Sequence, residues 1–296
     1  MSENLCSICP RECRVNRNIK GGICGTRNSL KIARVGLHQW EEPCISHKNG
    51  SGTIFFSGCN LKCIFCQNVE ISKELKGVEI STDDLSDEIL KLQDSGAENI
   101  NFVTPTHFTI QIIRSLDKIK HKLRIPVCYN CGGYEKEETL SMLDGYVDIF
   151  MPDFKYFDSA LSERYSGAAD YFNVASRALN KMYDLVGYAR YDNEGKMTKG
   201  VLTRHLVLPS HTQDSIKILE YISQNYDVVK FALSIMNQYF PTSECEKYSE
   251  INRKLTSLEY QKVVKIVEKL GFKNCYIQHK SSATKAYVPN FDYEGK

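Results

Sequence analysis

The sequence has no excess of one charge: 38 Lys and Arg stand against 36 Asp and Glu, a formal net charge of +2. That balance argues against a strongly electrostatic binder of nucleic acid or of a membrane surface. Long hydrophobic runs are missing too, since none approaches the roughly 18–20 residues needed to cross a bilayer. Met1-Ser2-Glu3-Asn4-Leu5-Cys6 offers neither a basic n-region nor an apolar h-region, so no secretory signal is read there. The expectation is a cytoplasmic protein with no membrane and no nucleic acid as partner. There is no repeat, no low-complexity stretch, no G-x-S-x-G elbow and no G-x-x-x-x-G-K-[ST] phosphate loop. The Ser, His and Asp residues are too dispersed to suggest a hydrolytic triad. A hydrophobic content of 42% is enough for a sizeable core.

Cysteine, by contrast, is abundant, at 12 residues. In a reducing compartment that number points to metal ligation rather than disulfides. Cys6, Cys9, Cys13 and Cys24 form one group, and Cys59, Cys63 and Cys66 a second. Cys44, Cys128, Cys131, Cys245 and Cys275 are scattered and read mainly as small buried apolar residues.

Two regions are expected. Residues 1–48 are rich in Cys, Arg, Asn and Gly with little periodicity, a segment that a metal would help to order. Residues 49–296 alternate short apolar runs with helical patterns, the signature of βα units and a parallel sheet. The runs are 53–57, 99–103, 126–129, 147–151, 202–208, 229–235 and 275–278, continuous as in strands buried on both faces. Helices are expected from near Thr82 to Gly96, and from about Thr106 to Lys120 with Ile110, Ile113 and Leu116 inward. A third would be capped by Ser210 or Thr212 with Ile216, Leu219 and Ile222 inward, and a fourth would cover Ser257–Leu270 and stop at Gly271. The fold class is therefore α/β, a full or partial TIM-like (β/α) barrel with a Cys-rich N-terminal appendage. A doubly wound open sheet is the competitor.

Ser57-Gly58-Cys59-Asn60-Leu61-Lys62-Cys63-Ile64-Phe65-Cys66 follows the first of these strands directly, in the loop that would top a barrel. An iron–sulfur cluster usually takes four thiolates, so three on one loop leave one iron open. A zinc loop is the bland alternative. The C-x3-C-x2-C spacing resembles the radical S-adenosylmethionine (radical SAM) superfamily. The resemblance implies a [4Fe–4S] cluster on Cys59, Cys63 and Cys66 whose open iron binds S-adenosylmethionine. It implies reductive cleavage of the S–C5′ bond to a 5′-deoxyadenosyl radical that abstracts a hydrogen, with Phe65 near the adenine.

Further segments are similar to the PflX-like homologues of pyruvate formate-lyase activating enzyme. They are Cys6-Ser7-Ile8-Cys9-Pro10-Arg11-Glu12-Cys13, Trp40-Glu41-Glu42-Pro43, Asn101-Phe102-Val103-Thr104-Pro105-Thr106-His107, Pro152-Asp153-Phe154-Lys155-Tyr156 and Arg204-His205-Leu206-Val207-Leu208-Pro209. This resemblance implies cofactor contacts at Asp153 and Lys155, with Asn130, Arg204 and Gln238 in support at other strand ends. It also implies flavodoxin or ferredoxin as reductant and a glycyl radical enzyme as the protein to be activated. The alternatives are a radical enzyme acting on a small molecule or peptide and, from another class, a zinc-stabilised binding module. One departure stands out. The Gly-Gly-Glu that usually receives the cofactor amine is replaced by Val103-Thr104-Pro105-Thr106-His107, which leaves the amine without an assigned partner. His107 reads equally as a substrate contact or a proton relay.

Cys6, Cys9, Cys13 and Cys24 have the ligand count of a second metal site, either zinc or a second iron–sulfur cluster. Glu41, Glu42 and Cys44 lie between appendage and barrel and read as fixing the joint.

Overall fold

Each of the seven apolar runs gives rise to a parallel strand in the computed structural model, which describes residues 5–278 and 288–293. The first half runs β1 (Leu30–His38), α1 (Pro43–Ser46), β2 (Ser51–Phe56), α2 (Val69–Ser72), β3 (Val78–Ile80), α3 (Thr82–Asp94), β4 (Ile100–Val103), α4 (Thr109–Ile119) and β5 (Val127–Cys131). The second half runs α5 (Glu137–Ser141), β6 (Ile149–Pro152), α6 (Ser159–Ser166), α7 (Tyr171–Val186), β7 (Arg190–Tyr191), β8 (Met197–Leu206), α8 (Thr212–Asn225), β9 (Ala232–Met236), α9 (Ser257–Leu270) and β10 (Cys275–Ile277).

The sheet order is β10-β9-β8-β6-β5-β4-β2-β1-β3, with β7 paired to β8. From β2 to β10 every neighbouring pair on that path is parallel. β1 and β3 add an antiparallel extension beyond β2. β10 and β3 end the order without pairing to each other, so this is an α/β fold with a partial TIM-like barrel. No helix among the described residues is long and apolar enough to cross a membrane.

β2, β4, β5, β6 and β9 are buried at every residue, which explains their unbroken apolar text. Side chains still alternate between faces. Ile54, Phe56, Phe102, Tyr129 and Phe150 pack outward with the helices, whereas Cys128, Ile149, Met151, Leu202 and Ala232 form a separate cluster on the inner face. Cys44 and Ile45 of α1 join that inner cluster.

Two helix boundaries follow capping chemistry. Ser81 and Asp84 close a capping box ahead of α3, and Thr256 and Glu259 do the same ahead of α9, which ends at the left-handed Gly271. Two helices, α4 and α8, depart from expectation. Residues 106–108 form a single 3-10 turn, so α4 begins only at Thr109, because Thr106 spends its hydroxyl on the buried Glu135. The buried face of α4 carries Ile112, Leu116 and Ile119, and Ile110 is exposed. Leu116 is buried as expected and Ile113 is partly buried against the core, so the inward face is shared with the expected one and centred toward Ile112 and Ile119 rather than Ile110. At α8 neither expected cap acts: Thr212 is already helical and Ser210 donates its hydroxyl to the Glu250 carbonyl.

The sheet register explains the path of residues 39–50. His38 pairs with Ser51, so β1 ends beside the start of β2, at the lower mouth of the barrel. A tight hairpin could close this pair. Instead the connection passes under the barrel and sends α1 into it as a plug, where the Ile45 carbonyl accepts from Asn99 Nδ2 at 2.7 Å.

Candidate active site

The three-cysteine loop begins where β2 ends. Gly58 has φ +90° and is packed so closely that a Cβ would lie 2.6 Å from Thr26 Cγ2 and 2.7 Å from the Cys24 carbonyl oxygen. Only glycine fits that turn. From there the loop is pinned at several points. Its Lys62 and Ile64 amides donate to the carbonyls of Ser166 and Tyr165, the end of α6. Arg11 Nε donates to the Asn60 carbonyl at 2.8 Å, and Gln67 Nε2 to the Phe240 carbonyl at 3.0 Å.

Hydroxyl groups lie beside two of the loop thiols. Ser166 Oγ donates to Cys63 Sγ at 2.9 Å, and Ser72 Oγ lies 3.3 Å from Cys66 Sγ. Burial pushes the Cys59 thiol up to about 12 and raises Cys63 as well, while Lys155 works in the opposite direction on both. Iron must therefore displace a proton here, and a lysine stands by to stabilise the thiolates once it does. Two buried amide oxygens of the loop, Asn60 Oδ1 and Gln67 Oε1, have no partner. Three half-buried thiols on one loop, with hydroxyls beside two of them and the Lys155 charge nearby, fit a cluster with one open iron. Among the described residues no group of three or more His, Cys, Asp or Glu side chains converges as a single-ion site.

Facing the loop, the upper ends of β5, β6 and β8 carry a connected set of charged groups. Lys155 Nζ donates to Asp153 Oδ2 at 2.5 Å. Arg204 reaches the other carboxylate oxygen, with Nε at 3.0 Å and NH2 at 2.9 Å, and also donates to Asn130 Oδ1 at 2.7 Å. Burial works to raise the Asp153 carboxyl, but Arg204 and Lys155 outweigh it and hold the group below the usual carboxylate range. For Lys155 burial works downward and Asp153 upward, with the net shift upward, so the ammonium is retained. Loop and network meet at Gly132, where a Cβ would lie 2.9 Å from Leu61 Cδ1 and 3.8 Å from Lys155 Cε. Next to it stands Gly133, at φ +78°, where a Cβ would collide with the Asp153 carbonyl oxygen. Tyr171 locks the corner by donating to the Gly132 and Asp153 carbonyls, each at 2.8 Å.

Asn130, Asp153, Lys155 and Arg204 are thus brought together. Phe65 and Gln238 stand outside their hydrogen bonds. The Phe65 ring is buried against Tyr239 and Tyr156, at centroid distances of 5.9 and 6.5 Å. Gln238 Oε1 accepts from Gln278 Nε2 at 3.4 Å. His107 lies at the joint with the appendage: its Nε2 is 2.8 Å from the Ser57 carbonyl, its own carbonyl accepts from Arg17, and burial pushes it down to about 3. The ring is thus held by one backbone carbonyl, with its buried Nδ1 left without a partner.

The site residue that sequence reasoning missed is Glu41. Its Oε2 is 3.5 Å from Arg204 NH1, and its Oε1 accepts from Asn101 Nδ2 at 3.1 Å and Asn130 Nδ2 at 3.3 Å. Neighbouring Glu42 accepts from Ser234 Oγ on β9 at 2.7 Å, and burial raises its carboxyl. No local signal marks these two acids as lumenal. Only the plug's route through the barrel does.

The family model of the radical SAM superfamily matches residues 53–222, from β2 through most of α8. The chain belongs to the radical SAM superfamily. Membership implies a [4Fe–4S] cluster and S-adenosylmethionine as cofactors. An uncharacterized protein of Methanocaldococcus jannaschii, MJ0674, is 31% identical over 280 residues, covering 92% of this chain and 76% of that one. Among solved structures, a point mutant of spore photoproduct lyase is similar in fold, with a TM-score of 0.53 at 13% identity over 83% of this chain and 79% of that one. Streptococcus suis SuiB bound to S-adenosylmethionine gives a TM-score of 0.49 at 15% identity, covering 80% of this chain and 51% of that one. The chain therefore spans about half the length of SuiB.

Proposed function

We propose that Cys59, Cys63 and Cys66 hold the [4Fe–4S] cluster and that Asp153, Lys155, Asn130 and Arg204 seat S-adenosylmethionine beside it. The observation that carries this reading is the convergence at Gly132 of the three-cysteine loop and Lys155. Bound by these three cysteines, the cluster would supply the reducing electron for S-adenosylmethionine cleavage, and with it the means of hydrogen-atom abstraction from a substrate. The chain's own residues bind and orient. Lys155, held charged by Asp153, offers a cation to the cofactor carboxylate. Arg204 and Asn130 keep Asp153 in place. Phe65 is the proposed adenine neighbour, and Gln238 is the proposed contact at the β9 end. The reductant is flavodoxin or ferredoxin, and the setting is the cytoplasm.

For the target we infer a glycyl radical enzyme, consistent with the PflX-like resemblance and with β10 and β3 ending the sheet without pairing among the described residues. An opening there would admit a loop of a partner. A small molecule or short peptide is the competing target. For the appendage we infer a metal of its own, zinc or a second cluster, on Cys6, Cys9, Cys13 and Cys24. The Ile23 amide donating to Cys13 Sγ at 3.3 Å is in keeping with that.

Anaerobically reconstituted protein tests all of this by its iron, sulfide and zinc content and by 5′-deoxyadenosine release after reduction. About four irons are expected for one cluster, and about eight for two. A glycyl radical signal appearing in an added glycyl radical enzyme identifies the target class. Its absence, with turnover on small molecules, selects the alternative. Zinc alone with no 5′-deoxyadenosine overturns the reading and leaves a metal-stabilised binding protein.

A further inference from the structure

We propose that Glu41, carried into the barrel by the plug at its lower mouth, is a positioning residue for the cofactor site. It would set the orientation of Arg204 and Asn130 and the charge balance that S-adenosylmethionine meets. The inference rests on the proposed seating of the cofactor by Asp153, Lys155, Asn130 and Arg204.

The geometry is that of a keystone. One carboxylate joins three strands: Asn101 on β4 and Asn130 on β5 donate to Oε1, and Arg204 on β8 faces Oε2. Arg204 in turn holds Asn130 Oδ1 and Asp153 Oδ1. Orienting Asn130 takes both bonds. Its Nδ2 goes to Glu41 and its Oδ1 to Arg204, so its amide can sit only one way round. The plug is well fixed for the task, because Cys44 and Ile45 are buried in the inner cluster and Glu42 is tied to Ser234 on β9.

Charge adds a second argument. Arg204 and Lys155 are two cations, and Asp153 and Glu41 are the two anions in direct contact with them. The set is balanced before any ligand arrives. Without Glu41 it carries one excess positive charge in a buried place, where such an excess is costly. Arg204 would then rely on Asp153 alone and compete with Lys155 for it. S-adenosylmethionine, with a sulfonium, an ammonium and a carboxylate, is itself net positive, so the same loss places like charges together. Glu42 is the contrast: it shares the plug and its field reaches Arg204, but burial raises its carboxyl and its hydrogen bond goes to Ser234, with none to the set itself.

Calorimetric titration of the reconstituted protein with S-adenosylmethionine tests the proposal, with thermal melting of every variant alongside. Glu41→Gln is expected to weaken binding by about tenfold, a typical coupling for residues sharing one network. In an Arg204→Gln background the same substitution is expected to have no further effect, because the charge it balances is gone. Glu42→Gln is expected to bind as the wild type does. If Glu41→Gln melts below the working temperature, Glu41→Asp in both backgrounds replaces it: it keeps the charge but draws the carboxylate back from Asn101, Asn130 and Arg204, so a smaller loss of about threefold is expected alone and none beyond Arg204→Gln. Wild-type affinity in Glu41→Gln, or an equal loss in both backgrounds, overturns the proposal while leaving the cofactor site standing. No binding by wild-type protein overturns the cofactor site itself, and this inference with it.

Discussion

The two groups of cysteines are separated by a few residues of packing and by very different surroundings. Cys59, Cys63 and Cys66 sit on a loop pinned to α6, with Ser166 donating to one sulfur and the Lys155 ammonium acting on two. In the appendage, Cys9 is pushed up to about 12 by burial, with the nearby Glu135, Cys24 and Cys13 adding to the rise. There a carboxylate stands where the loop has a lysine. Burial raises a thiol to about 12 in both places, Cys59 on the loop and Cys9 in the appendage; the loop sets a lysine against that rise, whereas the appendage adds a carboxylate to it. The two regions touch at Gly58, where the space a side chain would need is taken by Thr26 and the Cys24 carbonyl.

Breaking the comparison on the barrel side has the largest expected effect. Cys59→Ala should abolish 5′-deoxyadenosine release while the far-ultraviolet circular dichroism is retained; full turnover in that variant would remove the loop from the chemistry. The next effect lies between the regions, at Glu135, which burial raises from the ordinary 4.5 to about 7 although Thr106 and Tyr129 donate to it. The native state holds this proton at pH values where the unfolded chain has lost it. The resulting stabilisation is present in full below the unfolded value and is lost as pH rises through about 7. Its size is about 3 kcal/mol. Urea unfolding at several pH values should show that decline in the wild type and a flatter profile in Glu135→Gln; parallel profiles would contradict it.

Smaller again is the contact itself. Gly58→Ala places a methyl against Thr26 and the Cys24 carbonyl at a positive φ, and should cost about 2 kcal/mol in urea unfolding. A neutral result would mean that the two regions are not packed as described. The smallest effect on chemistry is expected for Cys13→Ala, with dithionite as reductant. Release of 5′-deoxyadenosine should stay near the wild-type level while metal content falls by the appendage's share. A collapse of turnover would tie the appendage to the radical step.

Much of the barrel was legible because a strand buried on both faces must be continuously apolar, and each parallel run needs a helix to return the chain. Two helices were readable almost to the residue, one from near Thr82 and one over Ser257–Leu270 with its stop at Gly271, whereas the capping boxes Ser81–Asp84 and Thr256–Glu259 that set their starts emerged only in the structure. β1, β3 and β7 were not read, since their antiparallel pairing adds edges to a sheet that already had its apolar text. At the site, the loop cysteines and the Asp153–Lys155 pair could be picked out from spacing and resemblance. Glu41 was read only as fixing the joint, because a glutamate between Trp40 and Glu42 looks the same on a surface as in a barrel.

The sequence by itself determined the class of chemistry and the alternation of elements, both of which depend on residue type at short spacing. Tertiary structure decided which polar groups share the barrel's interior. Asn101, Asn130, Arg204 and Glu41 come from four separate stretches of chain, and nothing local to any of them encodes the others. They meet because β1 ends at the lower mouth of the barrel and the chain after it fills the space that the strands leave open.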